Sequence, residues 1–269
     1  MTQRTPTQAT MAAAYGRSAA AWGDGPSRVY DALADDLVAR SPVPLAGRLV
    51  ADVGAGRGAA SRAVARVGGR PVALDLAEGM LAAEPSGDRI PSAVADSRAL
   101  PLGDGSVGAV VAAFSFNHLP DPAAGLCEAA RVTSRGGAVL ASAYAADDDH
   151  PVKAAVEAAV RDAGWAPEDW VAEVHRDAGR LATPDAALAA AEAAGLSNPS
   201  AGVVVRPFPD LTPADLVAWR MGMAQVAPFL DGLDGAARAR IAAAALDRLG
   251  DAPVLERRMV VLTAVVDPT

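Results

Sequence analysis

The sequence predicts an α/β fold: a doubly wound, mostly parallel sheet of seven strands, with a helical cap. Three observations predict it. Five short apolar segments alternate with helical patterns between Arg48 and Tyr144, which is the signature of a parallel sheet with right-handed crossovers. One of them, "AVVAAF" in Val107–Phe116, is an unbroken apolar run, as expected for a strand buried on both faces. After Tyr144 the alternation stops, and helical patterns lead to two β-rich stretches that supply strands six and seven.

Taken in order, residues 1 to about 10 are polar and read as loose. "SRVYDALADDLVAR" (Ser27–Arg40) sets Val29, Leu33 and Leu37 at helical spacing. The strand "RLVADV" (Arg48–Val53), a helix from Gly58, the strand "PVALDL" (Pro71–Leu76) and the helix "AEGMLAAE" follow. Next come "SAVAD" (Ser92–Asp96), a Pro/Gly loop, "VGAVVAAFSF" (Val107–Phe116), a helix near Ala123–Val132 and "GGAVLASAY" (Gly136–Tyr144). Thr183-Pro184-Asp185 and Thr212-Pro213 each pair an N-cap hydroxyl with proline at the first helical position, and Gly195 is placed to stop the helix between them. "SAGVVVRPF" and "VLERRMVVLTAVV" close the chain. There is no internal repeat and no linker that divides the 269 residues.

Composition narrows the function. A net charge of −8, with Lys153 the single lysine, is the wrong sign for a nucleic-acid binder. One cysteine, Cys127, excludes an internal disulfide and a cysteine-clustered zinc site. It reads as inert core, since nothing basic surrounds it. The start has no apolar secretory segment, and no window approaches 18 uninterrupted apolar residues. These features predict a soluble cytoplasmic protein. Neither a G-x-S-x-G elbow nor a Walker lysine occurs.

The segment "LVADVGAGRGAA" (Leu49–Ala60) carries the chemistry. Gly54, Gly56 and Ala59 satisfy the dinucleotide pattern G-x-G-x-x-G/A, with Asp75 about 20 residues on. Asp52 shifts that balance, because a carboxylate at the end of the strand repels a pyrophosphate and attracts a cation. A ligand with an ammonium and a sulfonium is S-adenosylmethionine.

In these residues the chain resembles the class I S-adenosylmethionine-dependent methyltransferases, in their small-molecule, type 11 or UbiE-like branch. "VADVGAGRG" resembles motif I, D/E-x-G-x-G-x-G; "VALDLAEGML" is similar to the second-strand segment. "AVADSRALPLGDGSVGAVVAAFSFNHLPDPAAGLCEAARVTSRGGAVLAS" is similar to the rest of the cofactor half, so the likeness covers residues 48–143. It implies a Rossmann-like sheet whose last strand is antiparallel. It implies that the backbone of Gly54, Gly56 and Gly58 cradles the methionine moiety, with Asp52 near its amino group. Asp75 would take the ribose hydroxyls, and Leu76 would pack on the adenine. Asp96 and the Ser97 backbone would meet the adenine amine, and Ala113 and Phe114 would border the methionine end. Tyr15 matches an aromatic that closes over the cofactor, and Trp22 stands where relatives often carry tyrosine. His118, after strand four, is the candidate catalytic base, with Asn117 where relatives carry the first histidine of a pair. The resemblance further implies one domain over 1–269, with 11–143 holding the N-terminal helices and cofactor half and 147–182 and 208–250 covering the acceptor. The partner would be a small-molecule methyl acceptor, with no nucleic acid or membrane, for a monomer or homodimer.

Other residues carry plainer expectations. His150 reads as solvated or as entering the substrate cavity, the run Asp147–Asp149 as a solvated helix start in preference to a cation site, His175 as chemically silent on a helix, and no histidine spacing matches a metal site. Trp165, Trp170, Trp219, Met221, Met223 and Phe229 read equally as core of a cap or as lining of an acceptor pocket. Two competing activities stay open. One is a nicotinamide-dependent oxidoreductase, disfavoured by Asp52 and by the lack of a Tyr-x-x-x-Lys pair. The other is a cofactor-binding enzyme that exploits the sulfonium without methylating, such as a cyclase. A base-methylating enzyme is disfavoured because "FSFNHLP" replaces the Asn/Asp-Pro-Pro-Tyr signature.

Overall fold

The computed structural model describes residues 6–85 and 90–267. Two helices, α1 (Pro6–Asp24) and α2 (Pro26–Val38), precede β1 (Leu49–Val53), α3 (Ala59–Arg66), β2 (Arg70–Asp75), α4 (Glu78–Ala82) and β3 (Ser92–Val94). Then come β4 (Val107–Ala113), a 3₁₀ turn (Phe116–His118), α5 (Pro122–Val132) and β5 (Thr133–Tyr144). The second half holds α6 (Val152–Asp162), α7 (Asp169–Ala178), α8 (Pro184–Ala193), β6 (Ser197–Phe208), α9 (Pro213–Met221), α10 (Ala227–Asp231), α11 (Gly235–Leu249) and β7 (Leu255–Val265).

The seven strands form one sheet in the order β3-β2-β1-β4-β5-β7-β6. The first five are parallel, and β7 runs antiparallel to both β5 and β6. This is the doubly wound sheet with an antiparallel last strand that the sequence predicts. Winding reverses between β1 and β4, and that switch point is where open α/β sheets bind ligands.

Alternate side chains along each strand enter opposite cores, as the two-residue pleat requires. Val50, Ala109, Val111 and Leu140 meet α2, α3 and α6; Ala51, Val53, Val110, Ala112 and Val139 meet α5 and α8. Strands filled on both faces explain the unbroken apolar runs. Asp52 follows the parity of Val50, so it points to the α3 side.

The helix signals in the cap are realised atom by atom. Thr183 Oγ1 accepts from the Ala186 amide, and Thr212 with Asp215 forms a reciprocal capping box. Gly195 (φ +73°) ends α8 in a Schellman turn, with Leu196 N–H on Ala191 O and Gly195 N–H on Glu192 O.

Four expectations change. Residues 6–10 are helical, and Gln8 is buried; residues 1–5 lie outside the described ones. Strand four stops at Ala113 instead of Phe116, because Phe114 turns into the left-handed region (φ +54°). Strand five begins three residues early, at Thr133, across a register shift opposite Val107–Ala109. Cys127 is exposed, because Leu126 and Ala129 take the inner face of α5 and turn Cys127 outward.

Candidate active site

The chain leaves β1 through three glycines with positive φ (Gly54 +73°, Gly56 +55°, Gly58 +79°) and enters α3. Gly54 is required by contact as well: a Cβ there would lie 2.2 Å from Ser115 Cβ on the loop after β4. The loop's own amides are largely used within the protein. Gly54 and Ala55 donate to Leu74 O (2.7 and 3.1 Å), Gly58 to Ala55 O (2.8 Å), and Gly56 to Asp75 Oδ2 (2.7 Å). A loop with those donors engaged is a poor phosphate cradle.

Beneath it Asp52 is 1% exposed. Its Oδ2 accepts from Ser61 Oγ at 2.7 Å, while Oδ1 is buried with no hydrogen-bond partner. Burial pushes its pKa up to about 6, against the two Ser61 hydrogen bonds. A buried carboxylate oxygen left unpaired beside a cavity is a receptor for a cation or a donor.

Asp75, at the end of β2, holds the Gly56 amide with Oδ2 and the Ala77 amide with Oδ1, both at 2.7 Å. Burial raises its pKa and those amides oppose the rise. Each oxygen keeps lone-pair capacity for a further donor. Asp96, beyond β3, is forked by Arg98 (Nε to Oδ1 3.0 Å, Nη2 to Oδ2 2.6 Å), and Arg98 also reaches Gln8 Oε1 at 2.9 Å. Arg57 binds the turn after α4 and the end of α1 to the loop, donating to Ala83 O (2.8 Å) and Ala19 O (3.0 Å).

These groups open on one cavity of about 620 Å³, within the range of small-molecule sites. Asp52, Gly54, Gly56, Asp75, Leu76, Asp96, Ser97, Ala113, Phe114, Tyr15 and His118 all line it. Gly58 is absent from that lining; it faces Glu84 and Arg62 and serves as the left-handed start of α3. Tyr15 from α1 reaches the 3₁₀ turn after β4, its hydroxyl 3.4 Å from His118 Nε2. Burial raises the Tyr15 pKa, and Asp75 adds to the rise.

The other end of the cavity is aromatic. Tyr30 on α2 meets Phe114 edge-on at 5.4 Å between centroids, Phe114 lies 4.5 Å from Tyr144, and Trp22 lies 4.9 Å from Tyr30. Trp165, Trp219 and Met223 join them, whereas Trp170, Met221 and Phe229 pack into core instead. Arg257 on β7 and Arg220 on α9 also line this end.

The solvated readings of His150 and Asp148 are overturned here, and His150 lines the cavity, its alternative reading. His150 is buried, with Nε2 3.0 Å from Pro253 O and Nδ1 accepting from the Val152 amide at 3.2 Å. Asp148, the middle of the acidic run, bonds Arg257 Nη2 at 2.5 Å and accepts from the Arg258 amide at 2.7 Å, leaving its side chain 3% exposed. Asp147 stays on the surface with Arg258. His175 lies in α7, and its side chain is outside the described residues. No group of His, Cys, Asp and Glu among the described residues is arranged to hold a metal ion.

Sequence reasoning missed Tyr30, Tyr144, Arg220 and Arg257. Two signals could have found part of this set. Tyr144 ends strand five on the ligand side of the sheet, and Arg257 shares the inward parity of Leu255 and Met259 on β7.

An open parallel sheet with an antiparallel last strand, strand-end acids around a glycine loop and a cavity at the switch point define a class. The sheet is that of the class I S-adenosylmethionine-dependent methyltransferase fold. Residues 51–141 match the family model described as methyltransferase domain. A demethylmenaquinone methyltransferase from Clavibacter sepedonicus is 36% identical over 105 residues, 38% of this chain and 43% of that protein. The chain therefore spans less than half the length of that relative. Among solved structures, Haemonchus contortus phosphoethanolamine N-methyltransferase 2, in complex with S-adenosyl-L-methionine, aligns with TM-score 0.53 and 19% identity. It covers 88% of this chain and 52% of that one. The [4+2]-cyclase SpnF aligns with TM-score 0.51 and 18% identity, covering 89% and 82%. A methyltransferase and a cyclase at such low identity speak for the fold alone. No helix among the described residues is long and apolar enough to cross a membrane.

Proposed function

We propose that the protein binds S-adenosylmethionine and transfers its methyl group to oxygen or carbon of a small-molecule acceptor of specialised or quinone-like metabolism. The observation that carries this reading is the unpaired Oδ1 of buried Asp52, beneath a loop whose amides are already engaged. That arrangement suits an ammonium and repels a phosphate.

S-adenosylmethionine supplies an electrophilic methyl, which the acceptor takes by in-line displacement. The chain's residues do the rest. Asp52 holds the amino end of the cofactor, Asp75 accepts from the ribose with its remaining lone pairs, and Leu76, Asp96 and Ser97 border the adenine. Phe114, in a strained backbone conformation with its N–H on Ser142 O (3.0 Å), lines the cavity beside Tyr30 and Tyr144. Tyr15 and the aromatic walls exclude water. Alignment and desolvation of this kind account for about 7–11 kcal/mol of a barrier. Where the acceptor needs a base, His118, which lines the cavity with its Nε2 3.4 Å from the Tyr15 hydroxyl, is the candidate.

Calorimetric titration with S-adenosylhomocysteine and with NADH tests the binding. Heat with the first alone is expected; heat with NADH alone removes the reading. Transfer of an isotopically labelled methyl to product separates methylation from a cyclase that leaves the methyl in place.

A further inference from the structure

The acceptor end of the cavity inverts the charge of the chain. The protein carries −8, yet two guanidinium groups stand here among aromatic rings. Arg257 is 8% exposed, with its Cζ 4.0 Å from the Tyr144 ring centroid and 4.8 Å from that of Trp219. Arg220 follows Trp219 on α9, its side chain 13% exposed.

Their partners do not exhaust them. Asp148 pairs tightly with Arg257 and also takes the Arg258 amide. Arg220 has Glu157 at 3.8 Å, an ion-pair distance too long for a hydrogen bond. The Nε atoms of both arginines are buried without a hydrogen-bond partner. Burial disfavours the Arg220 charge. Two buried guanidinium groups with one carboxylate in direct contact are under-compensated, and a second carboxylate restores the balance. Arginine is suited to it, because its planar fork meets a carboxylate through two parallel bonds. Lys153 and Arg161, both exposed, stand at the rim of the same cavity.

We infer that the acceptor is a planar aromatic acid, its ring held among Tyr30, Phe114, Tyr144 and Trp219 and its carboxylate received by Arg220 with Arg257. Ring and carboxylate fix the molecule at two points, turning the atom to be methylated toward Phe114 and the cofactor half. This inference rests on the methyltransferase reading and gives its substrate a chemical class.

The test is calorimetric, on the full chain. S-adenosylhomocysteine titrated by itself reports on the cofactor reading. The probes for the acceptor are benzoate, 4-hydroxybenzoate, 2-naphthoate and anthraquinone-2-carboxylate, each against its methyl ester, with and without S-adenosylhomocysteine. At least one acid is expected to bind tenfold or more tightly than its ester. Arg220→Gln is expected to abolish that preference while leaving the ester and S-adenosylhomocysteine affinities within twofold. Arg220→Lys, which keeps charge and loses the fork, is expected to fall between. Arg220 is the residue to vary, since loss of Arg257 would strand Asp148. The inference is overturned if no acid exceeds its ester, or if the preference survives Arg220→Gln. The wild-type series decides it even where a variant fails to fold. Heat with an acid but none with S-adenosylhomocysteine would sink the cofactor reading and leave a carboxylate site standing.

Discussion

The two ends of the cavity are built on opposite plans. The end proposed for the cofactor takes its acids from Asp52, Asp75 and Asp96, at or just beyond the ends of three successive strands, all within 45 residues of chain. The end proposed for the acceptor takes aromatics and arginines from α1, α2, β5, α9 and β7, between Trp22 and Arg257. One is a local device repeated along a regular sheet; the other exists only when distant elements pack. The contrast separates what a cofactor common to a fold demands from what an individual acceptor demands, and it sets where mutations bite.

The largest effect is expected at Gly54. Alanine there combines a left-handed φ of +73° with a Cβ 2.2 Å from Ser115 Cβ, and the clash is with a side-chain root that cannot swing away. A loss of about 3 kcal/mol or more is expected, a fall in Tm of roughly 6–12 °C. Gly179 in the cap has nothing within 4 Å, so Gly179→Ala should be close to neutral. Thermal melts of the two variants measure the difference; equal melts would erase the contrast between loop and cap.

Next come the strand-end acids. Asp52→Asn and Asp75→Ala each remove a charge-assisted bond, worth about 1.5–3 kcal/mol. S-adenosylmethionine should therefore bind roughly ten- to a hundredfold more weakly to either variant. Unchanged affinity in both would end the assignment of this end to a cationic nucleoside.

The pH dependence of the same site is milder and has two signs. With its pKa raised to about 6 in the fold, Asp52 is mostly ionised at pH 7 and about nine-tenths protonated at pH 5. Binding that needs the carboxylate should weaken about tenfold over that interval in the wild type, and far less in Asp52→Asn. Stability runs the other way. A carboxyl whose folded pKa lies above its unfolded value contributes stability fully below about pH 3.8, and the contribution is lost as pH rises through 6. Titrations and melts at pH 5, 6 and 7 separate the two; an affinity independent of pH would show that Asp52 meets no cation.

How far the sequence reads depends on the same contrast. Strand parity, the proline-led caps and the glycine loop are local, so the meeting of the strand-end acids at one cavity and the winding of the sheet are legible in the order of residues alone. The start of α1 is not, because the residue it buries there, Gln8, is polar and its partner Arg98 lies 90 residues on. His150 and Asp148 read as solvated because their partners, Pro253 and Arg257, lie over 100 residues away. Cys127 reads as buried because apolar neighbours in sequence are not neighbours in space on a helix. The arginine pair emerges only through tertiary packing; at most the parity of Arg257 hints at it.

The smallest expected effect probes whether the two ends are energetically separate. Thr212→Ala removes the hydroxyl that caps α9, the helix that carries Trp219 and Arg220. Asp215 keeps its bonds from the backbone amide of residue 212 (2.9 Å) and from Arg28 (2.7 Å). A lost N-cap costs about 1 kcal/mol, a Tm shift of roughly 2–4 °C. The amides of the glycine loop bond to Leu74, Ala55 and Asp75, none of them on α9. Affinity for S-adenosylhomocysteine should therefore stay within twofold, as expected for sites that share no partner. Trp219 fluorescence, which reports the acceptor end, should respond first as temperature rises. A matching loss of nucleoside affinity would instead mean that cap and loop open as one unit, so that the two ends of the cavity are energetically coupled.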